Sequence, residues 1–172
     1  ATMLNPAEHA DNIDVTSAQW SPQASRLLLN GDEALWLLDL ANGDLTSLAE
    51  GGSPKTAVLF TPDGVRVTYV QDNDLYLLQI DDGEVQRLTS DGGTTVFNGA
   101  LDWVYTEELA TRAAQPAYAW SADGNWLIYL RLDETAVHSD PVTDYRPVPA
   151  AVSDTRYPTV GTDNPVATLH AL

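Results

Sequence analysis

Apolar residues occur in short runs along the chain, and turn-forming residues bound each run. Residues 57–60, 65–70, 75–80 and 84–88 form one set of four such runs. The breaks between them are rich in Asp, Asn, Gly and Pro, as in the Pro-Asp-Gly of residues 62–64. Glycine adopts the positive φ that tight turns need, and Asp and Asn side chains bond to nearby backbone groups. The pattern therefore predicts short strands joined by hairpin turns.

The same set of runs occurs more than once. Residues 20–23 (Trp-Ser-Pro-Gln) correspond to residues 60–63 (Phe-Thr-Pro-Asp), and the correspondence continues without a gap into residues 35–40 and 75–80. A third copy begins at residues 120–124 with Trp-Ser-Ala-Asp-Gly. Four strands in about 40 residues is the size of one blade of a β-propeller. The repeat therefore indicates stacked blades.

The predicted fold class is all-β, a partial β-propeller of about three four-stranded blades at residues 13–50, 55–90 and 115–172. An ordinary β-sandwich with chance similarity is the alternative, but the ungapped correspondence of the copies argues against it. A closed propeller has about four to eight blades, so we expect a fragment of a single propeller domain. Residues 165–172 are expected to form the third strand of the last blade, with no fourth strand after them.

The chain is strongly acidic, with 25 Asp and Glu against 8 Lys and Arg and a formal charge of −17. Such a charge repels phosphate groups, so no nucleic acid partner is expected. A positively charged partner such as a peptide amine would be attracted, although many of the carboxylates simply occupy turns. No apolar run approaches the ~18 residues of a membrane span. The absence of cysteine excludes disulfides and thiolate chemistry.

Residues that could carry catalysis are missing. The nearest approach to a nucleophile elbow, residues 51–55 (Gly-Gly-Ser-Pro-Lys), lacks the final glycine. His9, His138 and His170 have no spacing that suggests a triad or a metal site. Residues 72–74 (Asp-Asn-Asp) lack the later positions of a calcium loop and favour a hairpin turn. We therefore expect no metal and no cofactor, and no peptide hydrolysis by this chain alone.

The interval between the second and third copies is longer than the repeat. The extra material, residues 96–114, contains the only stretch that predicts a helix. Asp102 can cap the first turn by accepting a backbone N–H, and Pro116 ends the segment. The fold prediction therefore includes one short helical insertion, which carries the pair Glu107-Glu108.

This insertion resembles a known family. Residues 98–99 (Asn-Gly) and 102–108 (Asp-Trp-Val-Tyr-Thr-Glu-Glu) are similar to the Asp-Trp-Val-Tyr-Glu-Glu-Glu segment of the dipeptidyl peptidase IV family, of the prolyl oligopeptidase type. The similarity continues through residues 120–124 and 129–134 and resumes at residues 156–165. The first ninety or so residues match only the generic blade pattern that unrelated propellers share.

In that family the propeller caps an α/β-hydrolase domain of a serine exopeptidase that removes N-terminal dipeptides. The resemblance implies that Glu107 and Glu108 bind the free N-terminal amine of a peptide substrate, and that Asp102, Trp103 and Tyr105 support the motif. It also implies that the α/β-hydrolase domain of the parent protein is missing from this chain. The compartment that fits this interpretation is the periplasm or the cell exterior.

Two alternatives stand beside this interpretation. Glu108 and Arg112 are four residues apart, a spacing at which a surface ion pair contributes ~0.3–0.5 kcal/mol and has no further role. The chain would then be a generic protein-interaction β-propeller unrelated to proteolysis. Adjacent residues of an α-helix also point about 100° apart, so convergence on one amine needs a helix end or an irregular backbone.

The chain departs from the family pattern at two places. Thr106 replaces the first glutamate of the motif, a position that the resemblance does not assign to the amine. The family usually places an arginine in an earlier propeller loop to hold the substrate carbonyl. Residues 30–33 (Asn-Gly-Asp-Glu) occupy that place here, and they predict a tight turn without arginine.

The predicted blade faces centre on Trp20, Trp36, Phe60, Tyr76 and Trp120. A propeller covers such faces by closing its ring, which three blades cannot do. Uncovered apolar faces of this size favour association. We therefore expect the fragment to self-associate.

Overall fold

A computed structural model describes residues 2–4, 15–31, 33–109 and 115–172, and nearly all of its regular structure is antiparallel β-sheet. The first sheet has the order β1-β5-β4-β3-β2 and consists of β1 (Thr2–Leu4), β2 (Ser17–Trp20), β3 (Arg26–Asn30), β4 (Leu35–Asp39) and β5 (Leu45–Ala49). The second has the order β6-β7-β8-β9 and consists of β6 (Thr56–Phe60), β7 (Arg66–Gln71), β8 (Asp74–Gln79) and β9 (Val85–Arg87).

The third sheet consists of β10 (Val96–Asn98), β11 (Tyr118–Trp120), β12 (Leu127–Asp133) and β15 (Val166–Ala171). A separate hairpin of β13 (Ser139–Asp144) and β14 (Ala151–Arg156) lies between β12 and β15 in the chain. The strands of the second sheet agree with the predicted ones to within one or two residues. β15 is the expected third strand of the last copy, whereas the hairpin and β1 were not predicted.

The repeated motif has the same local structure in all three copies. A hydroxyl oxygen accepts a backbone N–H five residues later: Ser21 from Arg26 at 3.1 Å, Thr61 from Arg66 at 3.2 Å and Ser121 from Trp126 at 3.0 Å. This contact closes the turn between the first two strands of each blade, which explains the recurrence of Ser or Thr there.

Two apolar cores lie between the sheets. Leu28, Leu35, Leu37 and Leu48 of the first sheet pack with Phe60, Val67, Tyr69, Leu78 and Ile80 of the second. Val70 and Leu75 of the second sheet pack with Tyr118, Leu127 and Tyr129 of the third. Each side of the second sheet thus faces a neighbour, as in the stacked blades of a propeller. The all-β, partial propeller predicted from the sequence is confirmed.

The first strand of the third sheet is split in two. β10 and β11 pair with the same edge of β12, with Asn98 opposite Arg131 and Tyr118 opposite Tyr129, and β15 pairs with the other edge. At the gap, Leu130 accepts a hydrogen bond from the Gly99 N–H at 3.0 Å and donates its own N–H to the Ala117 carbonyl at 2.8 Å. The insertion therefore leaves and re-enters one strand.

This split moves the boundaries of the insertion. Residues 96–98, predicted as part of the insertion at 96–114, belong to the third sheet, so the last copy begins before residue 115. The predicted helix is a single turn at residues 103–104 followed by a π-helical turn at Tyr105–Leu109. Residues 110–114 lie outside the described part of the chain. In the described ranges, no helix has the length and apolar character needed to cross a membrane.

Candidate functional site

The strand that leads into the insertion is tied to the second sheet. The Asn98 side chain is fully buried, and its amide donates to Asp74 Oδ1 at 3.0 Å and to Asp91 Oδ1 at 2.8 Å. The Asn98 N–H donates to the Asn73 carbonyl at 2.9 Å. The β7–β8 turn of the second sheet therefore fixes the point from which the insertion projects.

Gly99 provides the bend at that point. Its φ of +71° lies in the left-handed region, where side chains are strained. A Cβ atom there would lie 2.7 Å from Leu75 Cδ2, inside the core between the second and third sheets. Both the backbone angle and the close approach explain why glycine occupies this position.

Asp102 organises the helical turn. The side chain is buried, and Oδ1 accepts the Tyr105 N–H at 2.7 Å. The Asp102 carbonyl accepts the Thr106 N–H at 3.0 Å. The contact with Tyr105 is the capping hydrogen bond predicted from the sequence, and it fixes the start of the turn that carries the two glutamates.

Glu107 and Glu108 are neighbours on the π-helical turn Tyr105–Leu109, with Glu107 half-buried and Glu108 exposed. Turns of this kind are rare and often occur at functional sites. The backbone that carries the pair is therefore π-helical rather than α-helical. The alternative pair of Glu108 with Arg112 lies partly outside the described residues, because Arg112 is not among them.

Trp103 joins two segments that are distant in the sequence. Its ring meets the ring of Tyr157 edge to face, with centroids 5.0 Å apart and planes inclined by 76°. Trp103 belongs to the acidic insertion, and Tyr157 follows the β13–β14 hairpin. The contact brings together two of the segments that resemble the dipeptidyl peptidase IV family, residues 102–108 and 156–165.

A cavity of about 530 Å³ adjoins this contact, lined by residues that include Phe97, Trp103, Glu134, Asp154 and Arg156. Arg156 Nη1 donates to the Val137 carbonyl at 2.7 Å and to the Glu134 carbonyl at 3.2 Å. The β13–β14 hairpin is therefore attached to the loop after β12. This loop lies beside the turn that carries Glu107 and Glu108, which we call the acidic turn.

Glu134 is a site residue that sequence reasoning did not single out. The residue is 5% exposed, and its carboxyl group lies close enough to the buried carboxyl group of Asp102 for each to affect the pKa of the other. Burial and the nearby Asp102 charge raise the pKa of Glu134 to about 7, against the opposing effect of Arg156. Burial likewise raises the pKa of Asp102, despite the hydrogen bond from Tyr105 and the nearby Glu134 carboxyl group, which oppose the rise.

The hydrophobic pattern gave no signal for this burial. Leu127 and Tyr129 are buried with period two, which would expose Glu134, but the buried positions shift to Leu132 and Glu134. The phase changes at Leu130, where β12 passes from β11 to β10 as its partner. The change in which β12 side chains are buried becomes apparent only when β10 and β11 are seen to pair with successive parts of β12.

In the segment where the family usually has an arginine, Asn30, Gly31 and Glu33 are among the described residues and Asp32 is not. The Gly31 N–H donates to the Ala34 carbonyl at 2.9 Å. The only lysine of the chain, Lys55, is buried beside it, and its Nζ donates to the carbonyls of Glu33 at 2.9 Å and Gly51 at 2.8 Å. Burial lowers the pKa of Lys55, although the Glu33 charge opposes this effect.

The 72–74 segment is a hairpin turn, with φ of +50° at Asp72 and +62° at Asn73, as in type I′ turns. Within the ranges that the structure describes, no group of three or more His, Cys, Asp or Glu side chains could hold a metal ion.

A family model described as the dipeptidyl peptidase IV (DPP IV) N-terminal region matches residues 21–172. The chain belongs to this family. The resemblance noted at the acidic insertion is thereby confirmed, and the match extends over the two blades that the sequence alone identified only as generic. The matched residues include β3 to β15, and with them the insertion and the hairpin described above.

Curated relatives and solved structures agree with this membership. A probable dipeptidyl-aminopeptidase B of Chaetomium globosum is 34% identical over 150 residues, which are 79% of this chain and 16% of that protein. Dipeptidyl peptidase 4 of Arthroderma otae is 34% identical over 167 residues, 92% of this chain and 21% of that protein. The crystal structure of Porphyromonas gingivalis dipeptidyl peptidase 4 superposes with a TM-score of 0.80 at 28% identity, covering 91% of this chain and 24% of that one.

The coverage is asymmetric. The dipeptidyl peptidase IV N-terminal chain described here spans only 16–24% of the length of these three proteins. Most of each relative therefore has no counterpart in the 172 residues.

Proposed function

We propose that this chain is a non-catalytic, substrate-binding segment of a dipeptidyl peptidase IV-like serine exopeptidase, in which Glu107 and Glu108 bind the N-terminal amine of the peptide substrate. The observation that carries the proposal is the position of two adjacent carboxylates on an irregular turn that projects from a split propeller strand.

The chemistry of an ammonium group supports a paired site. An ammonium has three N–H donors and no acceptor, so removing it from water requires several acceptors. Each charge-assisted hydrogen bond contributes roughly 1.5–3 kcal/mol. The charge of −17 adds a field that attracts cations. A blocked, neutral N-terminus would offer the two carboxylates no positive charge in exchange for their desolvation and would bind poorly.

Counting residues from the amine explains exopeptidase specificity. If the amine is held at a fixed distance from a nucleophile, only the bond at that distance is cleaved. The nucleophile would belong to an α/β-hydrolase domain in the parent protein, because this chain has no nucleophile elbow. The names of the two relatives, a dipeptidyl-aminopeptidase and a dipeptidyl peptidase, fit this division of labour.

The test uses the full-length protein and a chromogenic Xaa-Pro substrate with a free amine. Glu107→Gln and Glu108→Gln keep the shape of each side chain but remove its charge. Each is expected to lower kcat/KM on the order of 100-fold, because a charge-assisted contact is lost. Glu84→Gln, at an exposed turn of the second sheet, is the matched control and should leave kcat/KM unchanged.

Wild-type kcat/KM in both Gln variants would refute the amine site. The pair would then be surface carboxylates, and a generic protein-interaction propeller would be the better account. A second measurement strengthens the test: an N-acetylated form of the same substrate should be a poor substrate of the wild type, and the Gln substitutions should change its kcat/KM little.

A further inference from the structure

Two carboxyl groups are buried together behind the acidic turn. Asp102 is 2% exposed and Glu134 is 5% exposed, and their carboxyl groups lie close enough for each to affect the pKa of the other. Asp102 Oδ1 already accepts the Tyr105 N–H at 2.7 Å. Asp102 Oδ2 is buried and accepts no hydrogen bond from any N–H or hydroxyl group among the described residues.

A proton shared by Asp102 and Glu134 explains how the two carboxyl groups can be buried side by side. Two ionised carboxylates in contact would repel each other, and their buried oxygens would lack donors. One proton removes one charge and supplies the missing donor. The Tyr105 N–H favours the ionised form of Asp102, whereas the hydrogen bond from Arg156 to Glu134 goes to the main-chain carbonyl and not to the carboxyl group. The proton therefore belongs on Glu134.

We propose that Glu134 is a positioning residue for the turn of Glu107 and Glu108: in its neutral form it donates a hydrogen bond to Asp102 Oδ2, while Asp102 Oδ1 accepts the Tyr105 N–H at the start of that turn. The consequence for substrate binding rests on the function proposed above, but the positioning itself does not. It concerns a contact within this chain and can be measured without a substrate.

The charged groups around Glu134 determine the pH range in which it can donate a hydrogen bond to Asp102. Asp102 faces it from the insertion, while Arg156 and Asp154 approach from β14 and line the same cavity. Arg156 favours ionised Glu134, whereas Asp102 opposes it. The resulting pKa of about 7 means that the contact is complete in mildly acidic solution and is lost as the pH rises through neutrality. Ionised Glu134 then repels Asp102, and the cap of the acidic turn is weakened.

Trp103 provides a direct readout, because it follows Asp102 and lines the same cavity as Glu134. The chain has 5 tryptophans, so biosynthetic labelling with fluorotryptophan gives a small set of fluorine NMR signals, and Trp103→Phe identifies the signal of Trp103. In the wild type this signal should shift with a midpoint near pH 7. Glu134→Gln, which cannot ionise, should abolish that titration.

Asp154→Asn is the matched control, since it removes a different carboxylate from the same cavity. The control should keep a Trp103 titration near neutral pH. A Trp103 signal that does not move near neutral pH in the wild type, or that moves equally in Glu134→Gln, would overturn the proposal.

Enzyme kinetics of the full-length protein provide a second test of the role of Glu134. Raising the pH from about 6 to about 8.5 should increase KM for the free-amine substrate more in the wild type than in Glu134→Gln, by roughly 5-fold or more, with kcat less affected. Deprotonation of the substrate amine is common to both proteins and cancels in the comparison. Equal pH profiles would contradict the proposal.

The two proposals can fail separately. If Glu107→Gln and Glu108→Gln leave kcat/KM unchanged, the amine site is refuted, whereas the fluorine titration still tests the contact of Glu134 with Asp102. If the titration is absent but the Gln variants lose activity, the amine site stands and the positioning role falls.

Discussion

The carboxylate of Asp74 accepts a hydrogen bond from the side-chain amide of Asn98 at 3.0 Å, which joins the second sheet to the strand from which the acidic turn projects. Asp74 also accepts hydrogen bonds from the Thr89 hydroxyl at 2.6 Å, the Gly92 N–H at 3.0 Å and the Arg87 guanidinium. The carboxylate is therefore a buried junction, and the insertion is held by the core rather than by its own few residues.

Replacement of Asp74 by alanine should destabilise the chain by about 3–5 kcal/mol, because a buried carboxylate and its paired charge are lost and several donors remain unsatisfied. Urea unfolding measures the change. Asp81→Ala, at an exposed turn of the same sheet, should stay within about 0.5 kcal/mol of the wild type. Equal stabilities of the two variants would contradict the junction role.

The stability of the chain should also depend on the ionisation of Asp74 at low pH. Burial alone would raise the pKa of Asp74, but the hydrogen bonds from Thr89, Arg87 and Gly92 outweigh burial and lower it. The stabilisation by the ionised group is therefore complete above the ordinary value of 3.8 and is lost as the pH falls through the lower folded-state pKa. Unfolding curves between about pH 5 and pH 2 should show this loss in the wild type and a smaller one in Asp74→Asn.

Gly99→Ala should cost roughly 2–4 kcal/mol, since a left-handed backbone strains alanine and its Cβ would collide with Leu75. Gly83→Ala is the matched control, because Gly83 has a similar φ of +75° but open space around its Cβ position. The control isolates the backbone cost of about 1–2 kcal/mol. If thermal unfolding gives the same loss for both variants, the close approach to Leu75 contributes nothing.

Glu134 should make stability fall as the pH rises. Its folded-state pKa of about 7 lies above the ordinary 4.5, so the folded chain binds more protons than the unfolded chain between these values. The free energy of unfolding contributed by this group therefore decreases from about pH 4.5 to pH 7 and then levels off. The difference in stability between Glu134→Gln and the wild type isolates this contribution from the other carboxylates, and it should grow over that range. A constant difference would count against a protonated Glu134.

Much of the fold was readable because each blade repeats the same local chemistry. The hydroxyl of Ser21, Thr61 or Ser121 closes the same turn in each copy, and the apolar periodicity of the second copy set its strands to within one or two residues. The boundaries of the insertion were less accessible. Nineteen residues separate the end of β10 at Asn98 from the start of β11 at Tyr118, although both strands pair with the same edge of β12. Strand pairing between segments so far apart in the sequence leaves no local pattern.

The site was predictable in part for the same reason. Asp102, Trp103, Tyr105, Glu107 and Glu108 are contiguous, so one motif identified all of them, and the cap of Asp102 follows from local rules. Glu134 lies on another strand and became buried through a change of phase in β12. Tyr157 meets Trp103 only because an unpredicted hairpin returns to the insertion. Contacts made by tertiary packing had no signal in the sequence.

The first and third sheets have exposed apolar side chains. Trp20 is 58% exposed on the first sheet, and Leu169 is 72% exposed on β15. Trp126, Ile128 and Val166 add further exposed apolar area to the third sheet. Among the described strands, β15 pairs only with β12, so its outer edge has free backbone donors and acceptors.

These surfaces should make the 172-residue chain associate with itself, through apolar faces or by strand addition at β15. Burial of apolar surface contributes about 25 cal/mol per Å², and an interface of roughly 1,200 Å² is enough for a specific contact. The charge of −17 opposes association, so the self-association should strengthen as salt screens the charge.

Light scattering and sedimentation velocity at micromolar concentrations measure the association. Leu169→Glu places a charge on the exposed face of β15 and should shift the chain toward monomer if the third sheet is used. Val160→Glu is the matched control, because Val160 is fully exposed outside the strands and should not change the mass distribution. A monomeric mass at every concentration and salt level would show that these apolar faces are too small or too strongly charged around their rims to associate.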